Sequence, residues 1–237
     1  MENIKDKTAL ITGGSKGIGY GIAAALVAQG IKVAITSRSQ DAADKAAVKL
    51  NNLGGGEAFG FEADVRDFDS QTKAVKKVLD KWGQLDLIVA NAGIGHFAPI
   101  QDLTLEQWHE TIDTNLTGVF YSLKAGVEAL KSTKGFFISI SSLAGTNFFA
   151  GGSAYNASKF GVTGFTQAAM LDLRKDGIRF TTIMPGSVAT YFNDHTPNEK
   201  DAWKIQIEDL GQMVVDLLQM HPRTLPSKIE VRPSMPG

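Results

Sequence analysis

The chain has 237 residues, of which 43% are hydrophobic and 21% charged, and its formal net charge at pH 7 is −1. This length suits one domain with a substantial core, and the balanced charge argues against a general attraction to nucleic acid or to an anionic membrane surface. There is no cysteine, which excludes disulfides, thiol catalysis and cysteine–zinc sites.

No segment of the sequence predicts a signal peptide, a membrane span or a metal site. The start, MENIKDK, carries charges of both signs and precedes only a short apolar run. No apolar stretch approaches the roughly 18 residues of a membrane span. The histidines, His96, His109, His195 and His221, lack metal-ligand spacing. We therefore expect a cytoplasmic protein with no membrane, nucleic-acid or metal partner.

Predicted strands and helices alternate along the whole chain. This alternation predicts an α/β fold, a doubly wound (Rossmann) parallel sheet of about seven strands with helices on both faces, as a single domain over residues 1–237. The predicted strands are Thr8–Thr12, Val33–Thr36, Ala58–Phe61, Leu85–Ala90, Gly135–Ile140, Ile178–Met184 and Lys228–Val231. The predicted helices are Gly17–Gln29, Asp41–Leu53, Ser70–Trp82, Leu105–Leu130, Ser153–Lys175 and Glu208–Met220.

One segment breaks the alternation. Residues Gly186–Ile207 are polar and irregular, and they lie between the sixth strand and the last helix. A connection of this length is typical of a functional lid, so we predict a substrate lid around residues 186–207.

A glycine-rich turn follows the first strand, in TALITGGSKGIGYG. Gly13, Gly17 and Gly19 lie where a doubly wound sheet usually binds phosphate, because glycine allows close backbone approach and a helix N-terminus favours an anion. The spacing G-x-x-x-G-x-G differs from the common G-x-G-x-x-G pattern. On this loop alone, a tight turn without a ligand is an equally good interpretation.

Further motifs extend the pattern. Asn91-Ala92-Gly93 closes the fourth strand, SISSLAG follows the fifth, YNASK opens the next helix and IMPGSVAT closes the sixth strand. In this order, over almost the whole chain, the motifs resemble the compact single-domain branch of the short-chain dehydrogenase/reductase family. The 3-oxoacyl-acyl-carrier-protein reductases and related carbonyl reductases are similar. The sugar-nucleotide epimerase branch shares YxxxK but needs a larger substrate domain than 237 residues allow.

The YNASK motif has the residues that carbonyl reduction needs. A free phenol with a pKa of about 10 is a poor acid–base group at neutral pH, and a nearby cation lowers that pKa. Lys159 lies one helical turn after Tyr155, on the same face. The resemblance implies that Tyr155 is the acid/base and that Lys159 tunes it and holds the nicotinamide ribose. It also implies that Asn115 completes a water-linked proton path to Lys159.

A serine hydroxyl can hold the substrate oxygen beside the phenol. Ser139, Ser141 and Ser142 compete for this role, and strand alternation puts Ser139 and Ser141 on one face. The family spacing to Tyr155 selects Ser142 as the orienting serine.

The residues after the second strand bear on which dinucleotide binds. The usual acidic ligand of the adenosine ribose would lie about 20 residues beyond the glycines, and Asp41 is near that position. N-capping or a first-turn charge explains Asp41 better, since it opens a helix. Ser37 and Arg38 directly follow the strand, and Lys16 lies in the glycine loop. The two cations could clamp a 2′-phosphate, and this pattern resembles the family members that prefer NADP(H).

The resemblance implies further cofactor contacts. Asp64 and Val65 are expected at the adenine, and Asn91, Ala92 and Gly93 on the adenosine side. The remaining contacts lie in the glycine loop, in the YxxxK helix and at the nicotinamide: Ser15, Ile18, Tyr155, Lys159, Pro185, Gly186, Val188 and Thr190.

Aromatic residues of three loops suggest an apolar substrate. They are Phe97, Phe148, Phe149, Tyr191 and Phe192, in loops Gly93–Thr104, Leu143–Ser153 and Gly186–Ile207. The expected function is thus NADP(H)-dependent hydride transfer on a small apolar ketone, aldehyde or secondary alcohol.

Two alternatives remain. The first is 3-oxoacyl-[acyl-carrier-protein] reduction, although the end KIEVRPSMPG lacks the Val-Asp-Gly-Gly tail usual in those enzymes. The segment Asp194–Asp209 also carries five acids against two lysines, which disfavours an acidic carrier protein. The second is a non-catalytic NADP-binding regulator, which an intact set of site residues argues against.

The resemblance also implies a homotetramer, or a homodimer, formed through the helices near Leu105–Leu130 and Ser153–Lys175.

Overall fold

Residues 2–235 are described by the computed structural model of the chain, and they form a seven-stranded parallel sheet. Its strands are β1 (Thr8–Ile11), β2 (Lys32–Ser37), β3 (Ala58–Glu62), β4 (Leu87–Ala90), β5 (Phe136–Ile140), β6 (Arg179–Pro185) and β7 (Lys228–Val231). Their order across the sheet is β3-β2-β1-β4-β5-β6-β7. The predicted doubly wound sheet is confirmed.

Helices cover both faces of the sheet. They are α1 (Gly17–Ala28), α2 (Gln40–Asn51), α3 (Phe68–Trp82), α4 (Leu105–Ile112), α5 (Gly118–Thr133), α6 (Ser153–Leu173) and α7 (Ile207–Gln219). One core contains α1, α2 and α7 side chains and the other contains α3, α5 and α6 side chains. In β1, Ile11 belongs to the first core and Leu10 to the second, because successive strand residues point to opposite faces.

The predicted helix Leu105–Leu130 is interrupted. A π-helical turn, Asp113–Thr117, separates α4 from α5, and α5 continues to Thr133. Periodicity cannot reveal such a turn, because it inserts only one extra residue into a continuous helical pattern. The turn contains Asn115, a predicted site residue.

The sheet order places the candidate site. The strand β1 pairs with β2 on one side and with β4 on the other, so successive crossovers diverge at the carboxyl ends of β1 and β4. Ligands of doubly wound sheets bind in the crevice at this point, and the predicted glycine turn lies there.

Candidate active site

The turn between β1 and α1 requires glycine at Gly13, Gly17 and Gly19, through its backbone conformation or through close packing. Gly13 and Gly17 have φ values of +64° and +60°, which other residues rarely adopt. A Cβ on Gly13 would lie 2.9 Å from the Ala92 Cα, and one on Gly19 would lie 2.5 Å from the Asn91 side-chain nitrogen. The glycines therefore allow this turn to lie directly against the turn that follows β4.

The N-terminus of α1 offers backbone N–H groups to an anion. Its N-cap residue, Lys16, makes no side-chain cap hydrogen bond, and the first N–H groups of a helix have no intrahelical partner. Ser15 is partly exposed in the turn, whereas Ile18 packs partly against the core. A helix N-terminus of this kind favours phosphate, so the cradle fits the pyrophosphate of a dinucleotide.

Lys16 and Arg38 are both exposed at this end of the crevice. The Arg38 side chain is 63% exposed, and its Nη1 lies 3.9 Å from Glu110 Oε1. The Ser37 hydroxyl accepts a hydrogen bond from the Ser39 N–H (3.3 Å). Both cations are therefore accessible to a ligand phosphate, and Arg38 is also within ion-pair distance of Glu110.

Asp41 lies in the first turn of α2 and pairs with Lys45 at 2.7 Å. The N-cap of α2 is Ser39, whose hydroxyl accepts from the Ala42 N–H (3.3 Å). The presence of Asp41 is therefore explained by its favourable negative charge in the first turn of α2.

Asp64 follows β3 and is held by Arg66. The guanidinium donates to both carboxylate oxygens over 2.6–3.1 Å, and these hydrogen bonds keep the pKa of Asp64 below its usual value. Val65 is buried, and a Cβ on Gly118 of α5 would lie 2.8 Å from its Cγ2. Val65 thus offers backbone rather than side chain to an adenine.

Sequence reasoning missed a charged cluster beside Arg38. Glu110 of α4 lies 3.9 Å from Arg38 and 4.0 Å from Arg66, and its other carboxylate oxygen is 2.8 Å from His96 Nε2. The three partners follow β2, β3 and β4, so only the sheet order brings them together. No local sequence signal marks Glu110.

Asn91, Ala92 and Gly93 connect the two halves of the crevice. The Asn91 side chain donates to the carbonyls of Thr12 (2.9 Å) and Gly13 (3.1 Å), so it braces the glycine turn. The backbone of Ala92 packs directly against Gly13. A Cβ on Gly93 would lie 3.6 Å from Lys159 Nζ, so this turn leads directly to the catalytic candidates.

The structure separates the three candidate serines. Ser139 is buried and accepts from the Thr166 hydroxyl (2.9 Å), and Ser141 is buried and donates to the Lys159 carbonyl (3.0 Å). Ser142 is half-buried and lines a cavity with Tyr155. Only Ser142 of the three is available to a substrate.

Tyr155 lies near the start of α6, among aromatic rings. The ring centroids of Phe97 and Phe192 lie 5.4 and 5.7 Å from its own, and Phe149 contacts Phe97 at 5.9 Å. Burial raises the pKa of Tyr155, and the neighbouring Ser142 hydroxyl lowers it. Burial among these rings therefore favours the neutral phenol over the phenolate.

Lys159 is almost fully buried, and its Nζ donates to the Ile140 carbonyl at 3.0 Å. Burial lowers the pKa of Lys159 to about 8. Its Nζ lies 5.6 Å from the Tyr155 ring centroid, on the adjacent turn of α6. The expected lowering of the Tyr155 pKa by Lys159 stays a prediction, since the shift of this pKa here comes from burial, which raises it, and from the Ser142 hydroxyl, which lowers it.

Asn115 is buried in the π-helical turn. Its side chain accepts from the Ile94 N–H and donates to the Ile94 carbonyl, both at 2.8 Å, and it donates to Ser158 Oγ at 3.0 Å. These bonds tie α4 and α5 to the turn after β4 and to α6. Asn115 thus holds the turn after β4 in place next to Lys159.

The segment 186–207 begins beside the glycine turn. Thr190 is buried, with a Cβ on Gly17 placed 3.7 Å from its side chain. Val188 forms a parallel bridge with Ile205, which holds the two ends of the segment together. Pro185 accepts a hydrogen bond from Ser142 Oγ (3.4 Å), and Gly186 lies against Leu143. Of the predicted nicotinamide contacts, Pro185 and Gly186 therefore adjoin the Ser142 segment, whereas Thr190 lies at the glycine turn.

A cavity of about 720 Å³ opens beside Ser142 and Tyr155. Phe148 and Phe149 line it as predicted, whereas sequence reasoning missed Trp203 and Arg232. Phe148 is 86% exposed at the rim. No sequence motif surrounds Trp203. Arg232 follows β7, and only the pairing of β7 with β6 brings this residue to the site.

Within residues 2–235, no group of three or more His, Asp or Glu side chains is arranged to hold a metal ion. The helices in this range are also too short or too polar to cross a membrane. His96 and His195, the two histidines of the site loops, each pair with one carboxylate, Glu110 and Asp201.

The geometry agrees with that of known proteins. The structure superposes with a TM-score of 0.91 on an alcohol dehydrogenase from the archaeon Thermococcus sibiricus complexed with 5-hydroxy-NADP (32% identity, 97% of each chain). It also superposes with a TM-score of 0.86 on a metagenomic short-chain oxidoreductase in complex with NADP (30% identity, 99% of this chain and 100% of the other).

Sequence comparison gives the same result. The chain is 37% identical over 194 residues to trans-4-hydroxycyclohexanecarboxylate dehydrogenase of Sinomonas cyclohexanicum, covering 80% of this chain and 75% of the relative. It is 36% identical to a 3-oxoacyl-[acyl-carrier-protein] reductase of Synechocystis sp., covering 90% and 86%. The family profile described as short chain dehydrogenase matches residues 7–201. The chain therefore belongs to the short-chain dehydrogenase family, whose enzymes are oxidoreductases of alcohol and carbonyl groups.

Proposed function

We propose that the protein is an NADP(H)-dependent oxidoreductase of small apolar ketones, aldehydes or secondary alcohols, with Tyr155 as the acid/base. One observation carries the proposal: Ser142 and Tyr155 line one cavity, and the buried Lys159 ammonium lies 5.6 Å from the Tyr155 ring centroid, next to Gly93 of the turn that packs on the glycine turn. When bound, the nicotinamide supplies or accepts the hydride.

The roles of the three side chains follow from their surroundings. The Tyr155 pKa is raised by burial, so the phenol carries the proton that a reduced carbonyl oxygen needs. The half-buried Ser142 hydroxyl can donate to the same oxygen and hold it. Lys159, buried one turn away, can stabilise the phenolate once the proton has left. Asn115 is proposed to extend this proton path through water.

NADP(H) is favoured over NAD(H) by the charge at the end of β2. Arg38 is an exposed cation there, Lys16 is another in the glycine turn, and the acid at the usual position, Asp41, is engaged by Lys45. A guanidinium and an ammonium can both bind a 2′-phosphate. Two structural neighbours, by their descriptions, hold NADP or 5-hydroxy-NADP, which supports this assignment.

The cavity favours a small substrate with an apolar body. Phe149 and Trp203 contribute to its walls, and Phe97 and Phe192 pack around Tyr155. The segment 186–207 is proposed to act as the lid. A relative acts, by its name, on a hydroxycyclohexane ring, which would suit such walls.

A second candidate is 3-oxoacyl-[acyl-carrier-protein] reduction, because several relatives carry that name. The acidic residues of the segment Asp194–Asp209 disfavour it: Asp194, Glu199, Glu208 and Asp209 are exposed, while Asp201 is buried against Lys204. An acidic carrier protein would meet like charge at this surface. A non-catalytic NADP-binding regulator is the remaining alternative.

The test is an NADPH-oxidation screen over ketones, aldehydes, quinones and 3-oxoacyl thioesters, with Tyr155→Phe as the matched variant. We expect Tyr155→Phe to bind NADPH as the wild type does and to lose at least about a thousandfold in kcat, the upper part of the general acid–base range. Binding is measured by quenching of protein fluorescence. A variant within tenfold of the wild type removes Tyr155 from the mechanism, and no turnover of any compound favours the regulator.

A further inference from the structure

We propose that Arg232 binds a carboxylate of the substrate, so that the substrate is an oxo or hydroxy acid with an apolar body. The inference rests on the proposed function, because Arg232 lines the same cavity as Ser142 and Tyr155. To the proposed function the inference adds a negative charge on the substrate and the residue that binds this charge.

Arg232 is the one charged residue among those that line the cavity in the described part of the chain. The neutral polar groups Ser142 and Tyr155 lie at the reacting end, and aromatic and aliphatic side chains form most of the remaining wall. An apolar wall strengthens a nearby ion pair, because it lowers the effective dielectric constant. A ligand that matches this cavity has a carbonyl, an apolar body and one anionic group.

The backbone of Arg232 is fixed relative to Ser142. Ser142 Oγ donates to the Pro185 carbonyl (3.4 Å), and the N–H of Gly186, the next residue, donates to the Val231 carbonyl (2.8 Å). Two hydrogen bonds thus connect the reacting end of the cavity to the residue before Arg232. Because β6 and β7 are paired up to Val231, the position of the Arg232 backbone relative to Ser142 does not depend on the lid.

The guanidinium is oriented from outside the cavity. Its Nη2 donates to Glu230 Oε2 at 2.9 Å, and Glu230 Oε1 accepts from the Thr146 hydroxyl at 3.4 Å. Glu230 does not line the cavity, so it supports Arg232 without occupying the ligand space. A guanidinium has five N–H donors, which leaves donors for a bidentate contact with a carboxylate. The Arg232 side chain is 55% exposed, so a ligand can reach it.

The experiment compares an acid with its neutral analogue. The probes are 4-oxocyclohexanecarboxylate and 4-oxocyclohexanecarboxamide, measured by kcat/KM with NADPH. The proteins are the wild type, Arg232→Met, Arg232→Lys and Arg223→Met. Arg223 is an exposed arginine that does not line the cavity, so Arg223→Met is the matched control.

We expect the wild type to prefer the acid by about tenfold or more, since a charge-assisted hydrogen bond at a partly exposed site contributes on that scale. In Arg232→Met the acid/amide ratio should fall to about one, through the KM of the acid rather than through kcat. Arg232→Lys should restore part of the preference, and Arg223→Met should keep all of it.

A binding measurement separates this inference from the proposed function. Calorimetry of the NADPH-loaded protein with trans-4-hydroxycyclohexanecarboxylate and its amide reports recognition without turnover, because an alcohol cannot accept a hydride from the reduced cofactor. Tighter, Arg232-dependent binding of the acid supports the inference even if neither ketone is reduced, a result that would overturn only the proposed function.

Equal binding of the acid and the amide, or binding of neither, overturns the inference. So does an acid/amide ratio that Arg232→Met leaves unchanged. If Arg232→Met instead raises the KM for acetoacetyl-CoA and leaves the acid/amide ratio as it was, the arginine serves a phosphate and the carboxylate assignment is wrong.

Discussion

Lys159 holds a positive charge where the fold offers it little solvation. Its pKa falls from 10.5 to about 8 on burial, which corresponds to roughly 3 kcal/mol of lost stability for the charged form. The hydrogen bond to the Ile140 carbonyl offsets about 1 kcal/mol of this cost. We therefore expect Lys159, a residue proposed to serve the chemistry, to destabilise the cofactor-free protein.

We predict that Lys159→Met, without cofactor, is more stable than the wild type at pH 7 by about 1–2 kcal/mol, while its turnover is lost. The folded-state pKa lies below the unfolded one, so the cost is complete below about pH 8 and absent above about pH 10.5. The advantage of the variant should therefore shrink as the pH rises through this window. Urea unfolding from pH 7 to 10.5 measures the difference.

The control is Lys49→Met, at an exposed position of α2, which we expect to leave stability nearly unchanged at every pH. If Lys159→Met is less stable than the wild type at pH 7, the buried lysine contributes more through its contacts than it loses through burial.

Arg38 and Lys16 determine cofactor choice under the proposed function. Each charge-assisted hydrogen bond contributes about 1.5–3 kcal/mol, so two together should favour NADPH over NADH by roughly a hundredfold or more. Arg38→Ala should remove about one to two powers of ten from that ratio. Ser37→Asp combined with Arg38→Ala should go further, because a carboxylate repels the phosphate and can accept from the bare ribose hydroxyls.

The measurement is kcat/KM for both cofactors, together with calorimetric binding of 2′-AMP and 5′-AMP. In both variants the loss should appear in KM, since the chemistry lies at the far end of the dinucleotide. A wild type that already prefers NADH would return Asp41 to consideration as the ribose ligand.

At the scale of elements, the segment 186–207 is organised around one carboxylate. Asp201 is buried and accepts hydrogen bonds from Lys204 and His195 (2.6 Å each) and from the Asn198 N–H (3.0 Å). These contacts hold the Asp201 pKa far below its usual value, with the Lys204 hydrogen bond the largest cause. The segment is thus a folded loop with its own polar centre.

Asp201→Asn should loosen this loop. We expect faster chymotryptic cleavage at its aromatic residues, Tyr191, Phe192 and Trp203, and a higher KM for the carbonyl substrate, because a neutral amide cannot satisfy both Lys204 and His195. Because the folded pKa is depressed, the contribution of Asp201 is present above about pH 4 and is lost as the pH falls further. Mass spectrometry of the digests identifies the cut sites.

Glu199→Gln, an exposed substitution in the same segment, is the matched control and should leave the cleavage rate as it is. Equal cleavage of Asp201→Asn and the wild type would show that the bridge between Val188 and Ile205 holds the loop without Asp201.

At the scale of the whole molecule, apolar side chains remain exposed on α4, α5 and α6. Leu105 is 79% exposed, Phe120 and Phe160 are each 43% exposed, and Leu171 is 54% exposed. Exposed apolar side chains grouped on one part of a surface are typical of an interface. We therefore predict a homotetramer of about 100 kDa, from four 25.4 kDa chains, with a homodimer as the alternative.

Light scattering at micromolar concentration tests the assembly. Phe120→Glu combined with Phe160→Glu should shift the mass towards dimer or monomer, because two charges would be buried in the contact. Leu53→Glu, at an apolar residue 55% exposed on another side of the sheet, should not. A wild type that is a stable monomer overturns the prediction.

Much of the fold follows from local patterns. The alternation of apolar runs and helical segments predicts the sheet, and the glycine spacing with YxxxK predicts where a cofactor and a proton donor meet. These features depend on neighbours in sequence, because period and turn chemistry are local properties. The choice among Ser139, Ser141 and Ser142 needed the family spacing, and the geometry shows its basis: two of the serines are engaged by α6.

The tertiary structure decided what depends on strand order and burial. The Glu110 cluster, the Asn115 bonds to Ile94 and the position of Arg232 join residues far apart in the chain, and no local pattern encodes those distances. The pKa values of Tyr155 and Lys159 also follow from packing, because an aromatic wall and a buried helix face remove water that the sequence alone leaves unspecified. The sequence by itself therefore determined the fold and the chemical groups of the candidate site, and the packing of distant elements determined which of these groups are buried and what charge the cavity presents to a substrate.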